Sequence, residues 1–207
     1  MKLKNTNEIL KEFSKGPNLG SFVFADTSGI IDIVKVCRKE FSDPIDFLDR
    51  ILKKNKLRFL LTNKTHGECR IQSRVKKNRH VFILPENVLG YFEDCGKNVS
   101  HGIDFVSNED SEQIRYDVHW ASKIACNGVE KKRDEVFGEV DKDILYRASF
   151  LSTGKVKTPN EEMRDVGSVG ILSSDGHLIE GAKFMNNIKD DFGINKYSLY
   201  TINTKKN

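Results

Sequence analysis

Apolar residues fall along the chain in two rhythms, short unbroken runs and three-to-four-residue spacings, and their alternation predicts a mostly parallel sheet interleaved with helices. Phe22-Val23-Phe24-Ala25, residues 58–62, residues 166–172 and residues 197–203 read as strands, with a further short extended segment at 80–84 stopped by Pro85. Helical spacing recurs in Ile30, Ile31, Ile33 and Val34, in Ile45, Phe47, Leu48, Ile51 and Leu52, over residues 65–74, over 143–151, and in Leu178, Ile179, Ala182, Phe184 and Met185. Residues 1–18 carry Ile9, Leu10 and Phe13 and predict an accessory helix closed by Gly16-Pro17. Between 85 and 138 apolar density falls, which predicts a mainly helical insertion built on the stripe Ile114, Val118, Ala121, Ala125 and Val129. Trp120 beside that stripe is expected to pack as a core aromatic, and residues 152–165 read as a polar connector. The expectation is a single α/β domain over residues 1–207 with a central, mostly parallel sheet between helical layers.

Composition narrows the class. With 38% hydrophobic and 31% charged residues, no run approaches the roughly 18 apolar residues that span a bilayer. The opening MKLKNTNEIL has no signal-peptide core. Both features predict a cytoplasmic protein with no membrane partner. Cys37, Cys69, Cys95 and Cys126 form no CxxC pair, so neither a zinc ribbon nor a disulfide framework is expected. A net charge of +4 and a pI near 8.8 permit a polyanionic partner without requiring one.

The candidate chemistry lies where strands end. Asp26 comes directly after the first strand, and Asp175 comes after Ser173-Ser174 at the end of another. In open α/β sheets ligands gather beyond the carboxyl ends of the strands. Taken alone, an Asp-Thr-Ser after a strand is more simply a helix cap. Glu68, near the start of the helix after the second strand, and Asp143, at the start of DILYRASFL, occupy similar positions. Glu139 and Asp141 are close to Asp143, and only the helix pattern favours Asp143 as the third acid. Four converging carboxylates repel one another unless a cation neutralises them, and an oxygen-rich set of this kind suits Mg²⁺ or Mn²⁺. Ser28 and Ser173 can orient such ligands by hydrogen bonding or simply cap helices. His177 is the one histidine near these acids in sequence.

In order and context these residues resemble the PIN-domain ribonuclease family. Asp26 with Thr27 and Ser28 matches its opening strand-Asp-Ser/Thr motif, Glu68 in THGEC its second acid, Asp143 in DxLxxAxxL its third, and Asp175 the [ST]xD strand end that supplies its fourth. The resemblance covers roughly half of the chain, and the helical insertion before the third acid resembles the minimal protein-only RNase P group. It implies a PIN-like three-layer fold and a Mg²⁺- or Mn²⁺-dependent endoribonuclease leaving 5′-phosphate and 3′-hydroxyl ends, with Asp26, Glu68, Asp143 and Asp175 as catalytic metal ligands. RNA is then the expected partner. Phosphate contacts are expected from Arg70, Arg74, Lys76, Lys77 and Arg79, a basic cluster that begins on the helix of Glu68. Lys53, Lys54, Lys56 and Arg58, and Lys131, Lys132 and Arg133, form two further basic groups. The insertion is expected to help choose substrate, or a protein partner or second copy of the chain. Two alternatives stand beside this one: an inactive PIN-fold module that binds RNA or protein, and a Mg²⁺-dependent phosphohydrolase of small phosphate esters. The latter ordinarily carries a DxD after the first strand, whereas here Asp26 precedes Thr-Ser-Gly.

Overall fold

The computed structural model describes residues 2–14, 22–55, 57–72, 84–100, 105–107, 111–126, 137–157 and 162–206. Their elements run α1 (Thr6–Phe13), β1 (Phe22–Ala25), α2 (Thr27–Lys39), α3 (Pro44–Asn55), β2 (Arg58–Leu60), α4 (Asn63–Gln72), α5 (Glu86–Ser100), β3 (Phe105–Ser107), α6 (Ser111–Ala125), α7 (Glu139–Ser152), β4 (Gly154–Lys157), β5 (Met163–Asp165), β6 (Val169–Ser173), α8 (Gly176–Asn186) and β7 (Leu199–Asn203). Four strands form an all-parallel sheet in the order β2-β1-β6-β7. No described helix is long and apolar enough to cross a membrane.

Strand alternation explains why this sheet is covered on both sides. Val23, Ala25, Phe59, Leu172 and Ile202 face one core, shared with α1, α2, α3 and α5. Their neighbours Phe22, Phe24, Leu60, Val169, Ile171 and Leu199 face a second core, shared with α6, α7 and α8. Both faces are therefore apolar, which is the pattern that unbroken hydrophobic strands demand. The result is an α/β fold with the sheet between two helical layers.

The segment 85–138 contributes to both layers. In the first core Phe92 of α5 packs on Phe59 of β2, ring centroids 5.0 Å apart, and Phe13 of α1 meets the other side of Phe59 at 6.0 Å. In the second, Ile114, Val118 and Ala121 of α6 are buried. This segment also supplies β3, which joins β4 and β5 in a small antiparallel sheet of order β3-β4-β5. The expected polar connector at 152–165 is thus partly a hairpin. β5 is exposed at every position, so it has no apolar alternation, and backbone pairing with β4 defines it. Two other expectations shift. The helix expected from Asp143 begins at Glu139, and Trp120 is 42% exposed rather than packed in the core. The expected extended segment at 80–84, apart from Leu84, lies outside the described residues, as do Val129 and Lys131, Lys132 and Arg133.

One close approach fixes how α2 leaves the sheet. A Cβ at Gly29 would lie 2.6 Å from the carbonyl oxygen of Leu172 in β6, so only glycine lets the first turn of α2 press against the neighbouring strand. Alanine ordinarily stabilises a helix by up to about 1 kcal/mol over glycine. Gly29→Ala should instead destabilise the fold by about 1–3 kcal/mol through overpacking. Gly90→Ala on α5, where nothing lies within 4 Å, should be neutral or stabilising. Urea unfolding of the two variants checks the pair, and equal shifts would refute the close-packing account of Gly29.

Candidate active site

The strand order reverses between β1 and β6: from β1 the chain first moves outward to β2, and later returns to the other side of β1. Ligands of open α/β sheets bind at such a switch point, beyond the carboxyl ends of the strands. There the backbone N–H of Asp26 donates to the Leu172 carbonyl (2.9 Å), extending the pairing of β1 with β6 by one residue. Asp26 thereby lands beside Ser173, and the residue is 5% exposed.

Asp26 takes the capping position of α2 through its backbone, since Ile30 donates to its carbonyl (3.1 Å), but its side chain makes no capping bond. Its Oδ2 accepts instead from the hydroxyls of Ser28 (2.5 Å) and Ser173 (2.8 Å). The same two hydroxyls hold the turn between β6 and α8. The backbone N–H of Ser174 donates to Ser28 Oγ (3.0 Å) and that of Asp175 to Ser173 Oγ (2.9 Å). Asp175 caps α8, accepting from the His177 backbone N–H (2.7 Å), and His177 Nδ1 lies 3.3 Å from the same carboxylate. Thr27 turns the other way and donates to Glu68 of α4 (2.6 Å). Lys205, just past β7, donates its Nζ to the Ser174 carbonyl (2.8 Å) and brings a cation to this edge.

Of the four acids expected here, the structure brings Asp26, Glu68 and Asp175 together, and the carboxylate that joins them is Asp141. Burial, then the charges of Asp26, Asp175 and Glu68, push Asp141 from 3.8 up to about 7. Asp143 lies two residues further on, roughly 200° around the helix, and pairs with Arg147 (3.0 Å). Its Oδ2 is buried with no hydrogen-bond partner among the described residues. The cause is the earlier helix start. The backbone N–H of Gly138 donates to Asp141 Oδ2 (3.0 Å), closing half of a capping box, and buried Phe137 before it packs on Gly181 of α8. Glu139, the other neighbour, is 71% exposed and bound to Lys64 and Lys142.

Burial is also the main force raising the carboxyls of Asp26 and Glu68. Asp175 adds to it at Asp26 and Asp26 adds to it at Glu68, while the serine and threonine hydroxyls offset part of the rise. Among the described residues no ion pair neutralises Asp26, Glu68 or Asp141. No three of the described acidic, histidine or cysteine side chains already stand in an arrangement that encloses an ion. The donor set itself is all hard oxygen with uncompensated negative charge, and that chemistry fits Mg²⁺ or Mn²⁺.

Of the expected phosphate-binding residues, Arg70 is exposed on α4, with its guanidinium 3.3 Å from Glu93, which also contacts the His66 imidazole. Arg74, Lys76, Lys77 and Arg79 lie outside the described residues. Sequence reasoning missed Thr27 as the partner of Glu68 and Lys205 as a cation at the edge, both of which depend on contacts across the fold. It also set Asp141 second to Asp143, although Gly138 three residues before Asp141 was a readable cap spacing.

No family model matches the chain, and neither does any curated protein or solved structure.

The raised carboxyl of Asp141 has a consequence for stability. Between about pH 4 and 7 the unfolded chain gives up a proton that folded Asp141 retains, so this residue's contribution falls as pH rises through that window. Asp141→Asn keeps an oxygen for the Gly138 N–H and removes the charge. Its melting temperature should match that of the native chain near pH 4 and exceed it increasingly towards pH 7. Added Mg²⁺ should raise the native melting temperature more than that of the variant. Parallel pH profiles of the two proteins, unchanged by Mg²⁺, would show that Asp141 is not part of a repelling cluster.

Proposed function

We propose that this chain is a divalent-metal-dependent endoribonuclease of PIN-like architecture. The observation that carries the reading is the meeting of Asp26, Glu68, Asp141 and Asp175 at the β1/β6 switch point, with the carboxyl of Asp141 pushed up to about 7. Burying a carboxyl among other acids is not a device for holding a fold together, since a buried uncompensated charge costs stability. It marks a place built to receive positive charge.

Asp26, Glu68, Asp141 and Asp175 would hold Mg²⁺ or Mn²⁺. Bound there, the ion supplies Lewis-acid charge that acidifies an attacking water and stabilises the leaving oxygen of a phosphodiester. Ser28 and Ser173 fix one oxygen of Asp26, which leaves the other oxygen a defined direction. Thr27 does the same for Glu68. Burial and the neighbouring acids push the Asp141 carboxyl up to about 7, so it can release a proton on ion binding or exchange one during turnover. Lys205, at the same edge, is placed to attract a phosphate. The chain's overall positive charge favours a polyanionic substrate over a small ester.

Incubation with a labelled RNA pool and Mn²⁺ should produce fragments with 5′-phosphate and 3′-hydroxyl ends, and EDTA should abolish them. Asp26→Asn and Asp141→Asn should both fall below detection while remaining folded. Ser173→Ala should lose about 10- to 100-fold, the usual cost of removing a group that orients a metal ligand. Asp143→Asn should retain cleavage. An Asp26→Asn protein that cleaves like the native chain would falsify this reading.

A further inference from the structure

The second apolar stripe of α6 is left over after the fold is built. Ile114, Val118 and Ala121 take the helix into the core against α7 and α8. On the far side Tyr116, Trp120 and Ile124 recur at four-residue spacing and are 57%, 42% and 53% exposed. Tyr116 and Trp120 stand edge to face with ring centroids 6.2 Å apart, and His119 adds a third ring 6.5 Å from Trp120. Cations lie over these aromatics. Lys123 Nζ is 4.9 Å from the centre of the Trp120 ring, and the Arg115 guanidinium is 4.8 Å from that of Tyr146, which stacks on Phe150 in α7. Among the described residues Glu112 is the acid in the first turn of this helix.

We infer that this face of α6 is a docking surface for single-stranded RNA, with bases stacking on Tyr116 and Trp120 and phosphates meeting Lys123 and Arg115. Interleaved exposed rings and cations are what sequence-tolerant single-strand binding uses. The cations also decide between occupants. A protein surface laid over Trp120 would have to cover the Lys123 ammonium as well, whereas a nucleotide brings a phosphate towards it. The helix is also well placed, because it packs on α7 and α8, the first carrying Asp141 in its first turn and the second capped by Asp175. The choice of RNA as the strand rests on the ribonuclease reading above.

Trp120 is the only tryptophan in the chain, so intrinsic fluorescence reports on this face directly. The full chain should be titrated with a short oligouridylate in EDTA at low salt, with inorganic polyphosphate as the base-free control. Oligouridylate should quench the fluorescence and polyphosphate should not. Tyr116→Ala should weaken oligouridylate binding by about 5- to 150-fold, the loss of one stacked base, while Tyr116→Phe retains it. Lys123→Ala should lower the salt dependence of binding. Equal quenching by polyphosphate, or oligouridylate binding seen by anisotropy without quenching, would overturn the inference. So would a dimer in sedimentation that Tyr116→Ala dissolves, because the face would then belong to a second copy. Binding is read without metal, so it is independent of cleavage. A native chain that docks as described but never cuts RNA in Mn²⁺ removes the nuclease reading alone, and one that cuts RNA without docking removes this one.

Discussion

The carboxylate of Asp26, held out of water where β1 and β6 part, is the constraint on which the rest of the site depends. A buried carboxylate costs stability unless it is hydrogen-bonded. Here one oxygen accepts from both Ser28 and Ser173. Those two hydroxyls in turn accept the backbone N–H groups of Ser174 and Asp175. A single side chain thus ties the start of α2 to the turn after β6, and the close approach of Gly29 to Leu172 brings the two elements near enough for the hydroxyls to reach. Removing any member leaves polar groups without partners in a poorly hydrated place.

The same arrangement holds charge in an unfavourable state. Thr27 steadies Glu68, the first turn of α7 delivers Asp141 to the cluster, and Asp175 caps α8 while facing the other acids. Each of these carboxylates has a local structural use, yet burial first and the neighbouring acids second raise the carboxyls of Asp26, Glu68 and Asp141. Functional sites commonly keep such conflicts, with the surrounding fold supplying the stability they cost. The two apolar cores, one on each side of the four-stranded sheet, supply that support here.

Helix α6 shows how one element can serve two solvents. Its inner stripe completes the second core, and its outer stripe carries Tyr116 and Trp120, the latter beneath the Lys123 ammonium. The helix packs on α7 and α8, whose N-terminal ends carry Asp141 and Asp175.

Much of this was legible in the amino-acid sequence. The runs at 22–25, 58–62, 166–172 and 197–203 read as strands from their apolar density and length, and Asp26 and Asp175 follow two of them. Helical spacing located α2, α3 and α8 because each buries a stripe of its own. The β4–β5 hairpin was not legible, since β5 is exposed at every position and is defined by backbone pairing, which carries no side-chain signature. The exposure of Trp120 was hidden too, because a ring beside an apolar stripe looks the same whether the core extends to it or stops short. The choice between Asp141 and Asp143 was decided only by tertiary structure. The helix pattern favours Asp143, but Phe137 packs on Gly181 and Gly138 caps onto Asp141. The helix therefore starts at Glu139, and rotation of about 100° per residue turns Asp141 towards the other acids and Asp143 towards Arg147.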